Sequence, residues 1–283
     1  MSSFTNVDET GLTESFDRDG YVILKAFLSS TVIEGVKEEL NVLVDRQAER
    51  LMAAGRITEP YDDAPFDTRI ARVFEHSMDM APTSFRPELH GPRLFDLFFH
   101  PRLLDVVEWL LGPEIRLYPN YTARPKFPEW KGTLVLWHQD GGYTAQAADG
   151  VEILRMVNVW APLVPATEKN GCMQFVPGTH RLGVVHHEKR EYYLEIGQEE
   201  LDLRLGQAVS IEVDPGDVVL FHNLMFHCGL PNRTRTVRWS MDWRYQDATQ
   251  STMRPHVGHP ARSVKAPENV VRNRKDWAGR IFQ

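Results

Sequence analysis

From Ile115 to Asp247 the sequence breaks into short runs rich in Val, Ile, Leu, Phe and Trp, separated by turn residues, and this spacing constrains the fold more than any other feature. The runs are RLYPNYTAR, GTLVLWHQD, EILRMVNVWAPL, CMQFVP, AVSIEV, DVVLFH and RWSMDWRYQ, and DPGD at 214–217 makes a turn between two of them. Such a series predicts an all-β sandwich or barrel. The preceding third reads differently. After an extended piece, GYVILKAF, the Ser29 and Ser30 pair caps a helix from Thr31 to about Ala54. In it Val32, Val36, Leu40 and Val44 recur at helical spacing, and Gly55 ends it. A second helix, PRLLDVVEWLLG, runs from Pro101 to Gly112, with proline at its start and glycine at its end. The stretch from Arg56 to Leu89 shows no clean period and reads as a loop with the character of a lid. No repeat, low-complexity tract or linker divides the chain, so one domain is expected over 1–283. It would comprise a helical part to about 113, a core over about 114–250 and a C-terminal extension over 251–283. The fold class expected is mainly β with flanking helices, its core a double-stranded β-helix, a jelly roll of the cupin-like kind.

Composition narrows the partners. A formal net charge of -7 gives no pull toward polyanions, which makes nucleic acid and anionic membranes poor candidates. The opening MSSFTNVDETGLTESFDRDG has neither a basic leader nor an apolar core, and no window approaches the roughly 20 apolar residues of a membrane span. The expectation is a cytoplasmic protein. Cys172 and Cys228 are too few for a disulfide framework and fit a reducing compartment.

The chemistry begins at WHQDGGY, Trp137 to Tyr143. Residues two apart on a strand share a face, so His138 and Asp140 aim into one space, and the two glycines that follow leave the approach open. Alone, the pair is a weak signal and reads rather as a strand end that hydrogen-bonds a turn. Two histidines and one carboxylate on one octahedral face hold iron and leave three positions for oxygen chemistry. A later strand must supply the second histidine, and FHNLMFHCG offers His222 and His227, five apart, of which only one faces inward on a regular strand. RWSMDWRYQ alternates cleanly, with Arg238, Ser240, Asp242 and Arg244 on one face and Trp239, Met241, Trp243 and Tyr245 on the other. The apolar row belongs under helices. The polar row then lines a cavity. HHEKRE at 186–191 contains a competing pattern, His186 and Glu188, in a charged run that reads as an exposed loop, and His180 in PGTH is expected to fix a turn.

Order and spacing together resemble the phytanoyl-CoA dioxygenase-like iron(II)/2-oxoglutarate oxygenases over most of the chain, weakly from FDRDGYVILKAFLS and most strongly from Trp137 to about Asp247. The family pattern runs HxD, a tryptophan-bearing strand, NGC and PGTH, a GD turn, then a distal histidine followed by arginine. Here these are His138-Gln139-Asp140, NVWAPL with Trp160, KNGCMQFVPGTH at 169–180, PGD at 215–217, His227, and Arg238 eleven residues on.

The resemblance implies that His138, Asp140 and His227 bind iron and that His222 packs nearby. It implies that Arg238 clamps the far carboxylate of 2-oxoglutarate, a task suited to a guanidinium fork, with Ser240 as a further donor. Trp160 would wall the cosubstrate and Arg124 would line the pocket, while Tyr143, Arg155 and Arg244 are candidates for substrate contact. The cofactors implied are iron(II), 2-oxoglutarate and O2. The activity implied is hydroxylation of a small molecule with release of succinate and CO2, by ligands alone and no further catalytic residue. Desaturation, epoxidation and ring closure use the same chemistry; halogenating relatives lack the carboxylate that Asp140 supplies. The rival from another class is a non-catalytic metal- or sugar-binding jelly roll, which has no need of an arginine at the cosubstrate position.

Overall fold

In the computed structural model, which describes residues 3–4, 8–145, 150–190 and 193–283, helices precede strands as expected. Strand β1 (Ser3–Phe4) lies parallel to β2 (Tyr21–Leu24). Between them, helix α1 (Glu9–Asp19) is capped by Asp8, whose side chain accepts from the Gly11 amide, and is closed by Gly20 at φ 80°, a left-handed conformation that favours glycine. Helix α2 (Ser30–Ala53) starts at the Ser29 cap and buries Ile33, Val36, Leu40, Leu43, Val44 and Leu51.

The segment read as a loop contains helix α3 (Phe66–Phe74), which buries Ile70, Val73 and Phe74. Phe66 stacks on Trp239 at 5.4 Å between ring centres. Beyond it, Phe85 pairs with Ala123 through both backbone hydrogen bonds, 2.9 and 3.0 Å. This segment is anchored at two points, so the expectation of a plain loop is corrected. Helices α4 (Phe95–Phe98) and α5 (Pro101–Leu111) follow, the latter with Pro101 first and Gly112 as its cap.

The remaining elements are β3 (Ile115–Leu117), β4 (Thr122–Lys126), β5 (Val135–His138), α6 (Asp140–Ala145), β6 (Met156–Pro162), β7 (Met173–Val176), β8 (His187–Lys189), β9 (Leu194–Ile196), α7 (Gln198–Asp202), β10 (Val209–Ile211), β11 (Val218–His222), β12 (Phe226–Gly229), β13 (Arg238–Asp247), β14 (His259–Arg262) and α8 (Arg274–Ala278). A large sheet has the order β1-β2-β11-β6-β13-β3-β14, with β4 also on β13. A smaller one runs β10-β7-β12-β5. Apart from β1 with β2, the pairings are antiparallel. The DPGD turn forms, with the Asp217 amide donating to the Asp214 carbonyl at 3.0 Å and Gly216 at φ 102°.

The two sheets face each other across a cluster that joins Tyr21, Ile23, Val219 and Phe221 of the large sheet to Met173 and Phe175 of the small one. The outer face of the large sheet carries the helices: Trp239, Met241, Trp243 and Tyr245 share one core with Val36, Leu40, Phe98 and Val107. This is the jelly-roll arrangement of mostly antiparallel sheets with flanking helices, without closure into a barrel. The last 33 residues are part of that body, since β14 joins the large sheet and Trp277 is fully buried. Among the described residues no helix is long and apolar enough to cross a membrane. Cys172 and Cys228 are buried free thiols.

Candidate active site

Strands β5 and β12 are neighbours in the small sheet, and their register sets His138 directly opposite His227, ring centres 4.0 Å apart. In each ring Nδ1 donates to the backbone carbonyl two residues earlier, Leu136 at 2.8 Å and Met225 at 2.9 Å. That fixes the tautomer and leaves the Nε2 lone pair facing the gap between them. Burial pushes the His227 imidazole down to about 3, so the ring is neutral.

Asp140 reaches the same gap by another route than a strand. Strand β5 stops at His138, and Asp140 opens helix α6, where the Gly141 amide donates to the Asn223 carbonyl at 2.9 Å. Asp140 therefore does not share a strand face with His138 as expected; a turn into a helix carries the carboxylate round to the histidines. Asp140 Oδ1 lies 3.7 Å from His138 Nε2 and Oδ2 lies 3.9 Å from His227 Nε2. These are too long for direct hydrogen bonds, and the ligand atoms of all three lie within 4.8 Å of one another. Among the described residues this is the one such set of His, Cys, Asp and Glu. Both carboxylate oxygens are also held from behind: Asn158 Nδ2 donates to Oδ2 at 2.8 Å and Arg244 Nη2 to Oδ1 at 2.6 Å. Burial alone would raise the Asp140 carboxyl, but the Arg244 charge opposes it, and the carboxyl stays well below the usual carboxylate range. Two imidazoles with their Nε2 atoms and an ionised carboxylate converging on one gap are the donor set that iron(II) takes.

The middle residue of HxD, passed over in the sequence, ties the site down. Fully buried Gln139 donates to the Gly183 and Leu224 carbonyls at 2.8 and 2.7 Å and accepts from the Val185 amide at 3.0 Å. Its own amide donates to His187 Nε2 at 3.3 Å, while His187 Nδ1 donates to the Val185 carbonyl at 2.8 Å. His187 sits on β8, which pairs with β9, so the charged run expected to be a loop is a hairpin. Nor do the two glycines after Asp140 open an approach. Both are buried, and a Cβ would lie 2.5 Å from Leu224 Cδ2 at Gly141 and 2.6 Å from the His187 ring at Gly142. They are there for close packing.

A cavity of about 340 Å³ adjoins the triad. Its walls include Arg238, Asp242 and Arg244 from the polar face of β13. Arg238 is 4% exposed and faces no carboxylate among the described residues; Nη1 donates to Ser240 Oγ, and the guanidinium lies 5.3 Å from the Trp160 ring centre. Its Nε has no hydrogen-bond partner, and burial pushes its pKa down to about 10. A buried cation left with an unused N–H lacks an anion. The far carboxylate of 2-oxoglutarate fits that place.

The other sequence candidates divide. Arg124 lines the cavity, donating to Asp242 at 2.6 Å. Tyr143 also lines it, with its ring edge toward His138 at 5.6 Å and its hydroxyl accepting from the Leu194 amide at 3.2 Å. Arg244 lines it too, but is engaged with Asp140. Arg155 is not brought there: it lies half-exposed at the surface and pairs with Asp247 at 3.0 Å. His222 packs against Phe16 and His180, and His180 donates to the Asp17 carbonyl at 3.1 Å, tying its turn to the end of α1. Glu188 pairs with Arg190 at 2.9 Å, outside the triad. Arg86, Asn120, Asn158, Tyr193 and Arg254, which no sequence pattern singles out, also line the cavity.

Fold and triad together define a non-haem iron, 2-oxoglutarate-dependent oxygenase, and comparison with known proteins agrees. Residues 16–240 match the family described as phytanoyl-CoA dioxygenase (PhyH), and the chain belongs to that family. It is 27% identical over 256 residues to 1-deoxypentalenic acid 11-beta-hydroxylase of Streptomyces arenae, covering 86% of this chain and 82% of the relative. To ectoine dioxygenase of Sphingopyxis alaskensis it is 28% identical over 231 residues, covering 75% and 67%. Among solved structures, EctD from S. alaskensis with bound Fe superposes with a TM-score of 0.62 at 25% identity, covering 88% of this chain and 80% of that one. EvdO2 from Micromonospora carbonacea var. aurantiaca complexed with 2-oxoglutarate shares the fold at 20% identity, with a TM-score of 0.63 and coverage of 87% and 94%. The protein is a 2-oxoglutarate-dependent dioxygenase using iron, 2-oxoglutarate and O2, which displaces the reading as a non-catalytic jelly roll.

Proposed function

We propose that this enzyme hydroxylates a small organic molecule, with iron(II) held by His138, Asp140 and His227 and the far carboxylate of 2-oxoglutarate held by Arg238 and Ser240. The observation that carries it is the pairing of a complete His-Asp-His set with a buried arginine that lacks an acid partner. When bound, iron with 2-oxoglutarate supplies the oxidising chemistry, consuming O2 and yielding succinate and CO2. The chain's own residues do the rest. The Leu136 and Met225 carbonyls orient the two imidazoles, and Asn158 and Arg244 keep Asp140 ionised and aimed. Trp160 supports the Arg238 guanidinium from its face. Val135, Met173 and Phe221 keep part of the wall apolar and exclude water. Arg124 and Tyr143 are wall residues within reach of a substrate.

A relative named as a hydroxylase supports hydroxylation; desaturation, epoxidation and ring closure use the same chemistry. The acidic net charge and the two free buried thiols support a cytoplasmic enzyme that uses neither nucleic acid nor a membrane. The test is anaerobic loading with Fe(II) and 2-oxoglutarate. A weak visible charge-transfer band is expected, and His138→Ala, Asp140→Ala and His227→Ala should each abolish succinate formation, whereas His186→Ala and Glu188→Ala should retain it. Absence of the band together with no calorimetric binding of 2-oxoglutarate would sink the proposal.

A further inference from the structure

The chain carries a formal charge of -7, yet the walls of its cavity carry the opposite sign. Five arginines line it against two aspartates, a net charge of +3 with the histidines neutral. Iron(II) and 2-oxoglutarate bring +2 and -2 and cancel, so the loaded site keeps that excess for its substrate to meet. Three of the arginines are accounted for: Arg244 by Asp140, Arg124 by Asp242, and Arg238 by the cosubstrate. Arg86 and Arg254 remain.

Neither is an ordinary solvated surface arginine. Arg254 is exposed, but its guanidinium is fixed by neutral partners: Nε donates to the Tyr118 hydroxyl at 3.1 Å and Nη2 to Thr144 Oγ1 at 3.0 Å. Tyr118 and Thr144 are both buried, and Thr144 lies on α6, the helix that Asp140 opens. The turn before it is shaped for the purpose. Met253 takes φ 54°, a left-handed conformation unusual for a residue with a side chain, and Thr252 Oγ1 donates to the His256 carbonyl at 2.8 Å and accepts from the Arg254 amide at 3.3 Å. Arg86 follows Phe85, whose paired hydrogen bonds to Ala123 set it beside Arg124. The Arg86 guanidinium has no hydrogen bond or ion pair among the described residues. Burial, and then the charge of Arg124, push its pKa down; Asp242 opposes them and Arg244 and Arg254 add to the fall, so these cations stand close enough to repel one another. Like charges that outnumber the carboxylates at a cavity wall stabilise an anion that enters between them.

We propose that the primary substrate is a small organic anion whose acid group, a carboxylate or a phosphate, is taken by Arg86 and Arg254. The proposal rests on the reading of the site as an iron and 2-oxoglutarate oxygenase and assigns the substrate class to it. The forked donors of arginine suit either acid group, and the apolar wall at Val135, Met173 and Phe221 suits a hydrocarbon body.

The test uses the full chain loaded anaerobically with Fe(II) and 2-oxoglutarate, titrated by calorimetry with hexanoate, hexyl phosphate and the neutral hexanamide. At least one of the two anions is expected to bind roughly 10-fold or more tighter than the amide, with a preference that weakens as salt rises. The stronger anion identifies the acid group. Arg86→Gln and Arg254→Gln should each lower anion affinity roughly 10-fold while leaving hexanamide unchanged, and Arg86→Lys should restore part of the loss. The Kd for 2-oxoglutarate, read from the visible band, serves as the control that each variant still assembles its site. Equal binding of anions and amide, binding of none of the three, or an anion preference that survives in the double variant would overturn the proposal. A wild type that fails to bind 2-oxoglutarate would overturn the oxygenase reading first, and this proposal with it.

Discussion

On one face of β13, Trp239, Met241, Trp243 and Tyr245 are wholly buried among helices, and the Tyr245 hydroxyl reaches the Phe98 carbonyl at 2.6 Å. On the other face of the same ten residues, Arg238, Asp242 and Arg244 line a cavity, with Ser240 buried against Arg238, and Arg238 is a buried cation without an acid partner. The first row removes apolar surface from water and stabilises the fold. The second holds desolvated charge in place and works against stability until ligands arrive. A single strand therefore carries both the gain and the cost, and the period of two along the chain keeps them apart.

Four substitutions probe that division, in order of falling effect. Trp239→Ala should destabilise the apo protein by about 3–5 kcal/mol, because it empties a site where Phe66 and Phe85 stack. Denaturant unfolding measures it, and a loss under about 1 kcal/mol would deny the apolar face its role. Arg238→Met should do the reverse, leaving apo stability equal or higher while 2-oxoglutarate affinity falls by at least about 100-fold, the loss of roughly 3 kcal/mol expected when a buried charge loses its partner. A stability loss as large as that of Trp239→Ala would show that the two faces are not divided in this way.

Lys126, paired in register with Arg238 from β4, is a second cation on the costly side. It is buried, with its ammonium directed at the Thr133 and Gly229 carbonyls at 3.0 and 3.4 Å, and burial pushes its pKa down from 10.5 to about 7. Between these values the unfolded chain binds the proton that the folded chain has released, so stability should rise with pH across that window. From pH 7 to 9 the gain is about 2 kcal/mol. Cys172 opposes it above the ordinary thiol value of 9, since burial raises that thiol to about 12, so the comparison stops there. Lys126→Met should flatten the profile relative to wild type, and parallel profiles would contradict the assignment. The smallest effect belongs to Asp242→Asn. Its pair with Arg124 is partly exposed, so stability should change by about 1 kcal/mol or less. Removing the carboxylate raises the cavity charge to +4, and anion binding at low salt should tighten by a few-fold.

Much of this was legible before any coordinates. The alternation of RWSMDWRYQ announced both faces of β13, and the Ser29 cap and the Pro101 to Gly112 punctuation marked α2 and α5, because periods and caps are local properties of a sequence. Helix α3 was legible in part: Phe66, Ile70, Val73 and Phe74 keep helical spacing, but the helix is nine residues long and Pro65 offers no capping side chain to mark its start. The triad was recognisable through the family resemblance, but the route to Asp140 was not, since a two-residue separation looks the same on a strand and across a turn into a helix. Arg86 and Arg254 were invisible. Each lies in aperiodic chain and reaches the cavity through distant partners, Ala123 for one and Tyr118 with Thr144 for the other, and such placements are decided by tertiary structure alone. His187 was hidden for a related reason, because the charged run around it disguised a hairpin.

The contact between Gly142 and His187 sets a rule for how such a chain can diverge. A methyl group at 142 has no space while the imidazole stands 2.6 Å away, so any larger residue there must await a smaller one at 187. Yet shrinking His187 removes the acceptor of the Gln139 amide, between the first two members of the triad. Each first step is disfavoured and only the pair is neutral in volume, which couples the two positions in descent. Lineages that keep the triad are expected to hold both residues or to exchange both, and an engineered library that varies either position alone will sample mostly inactive sequences.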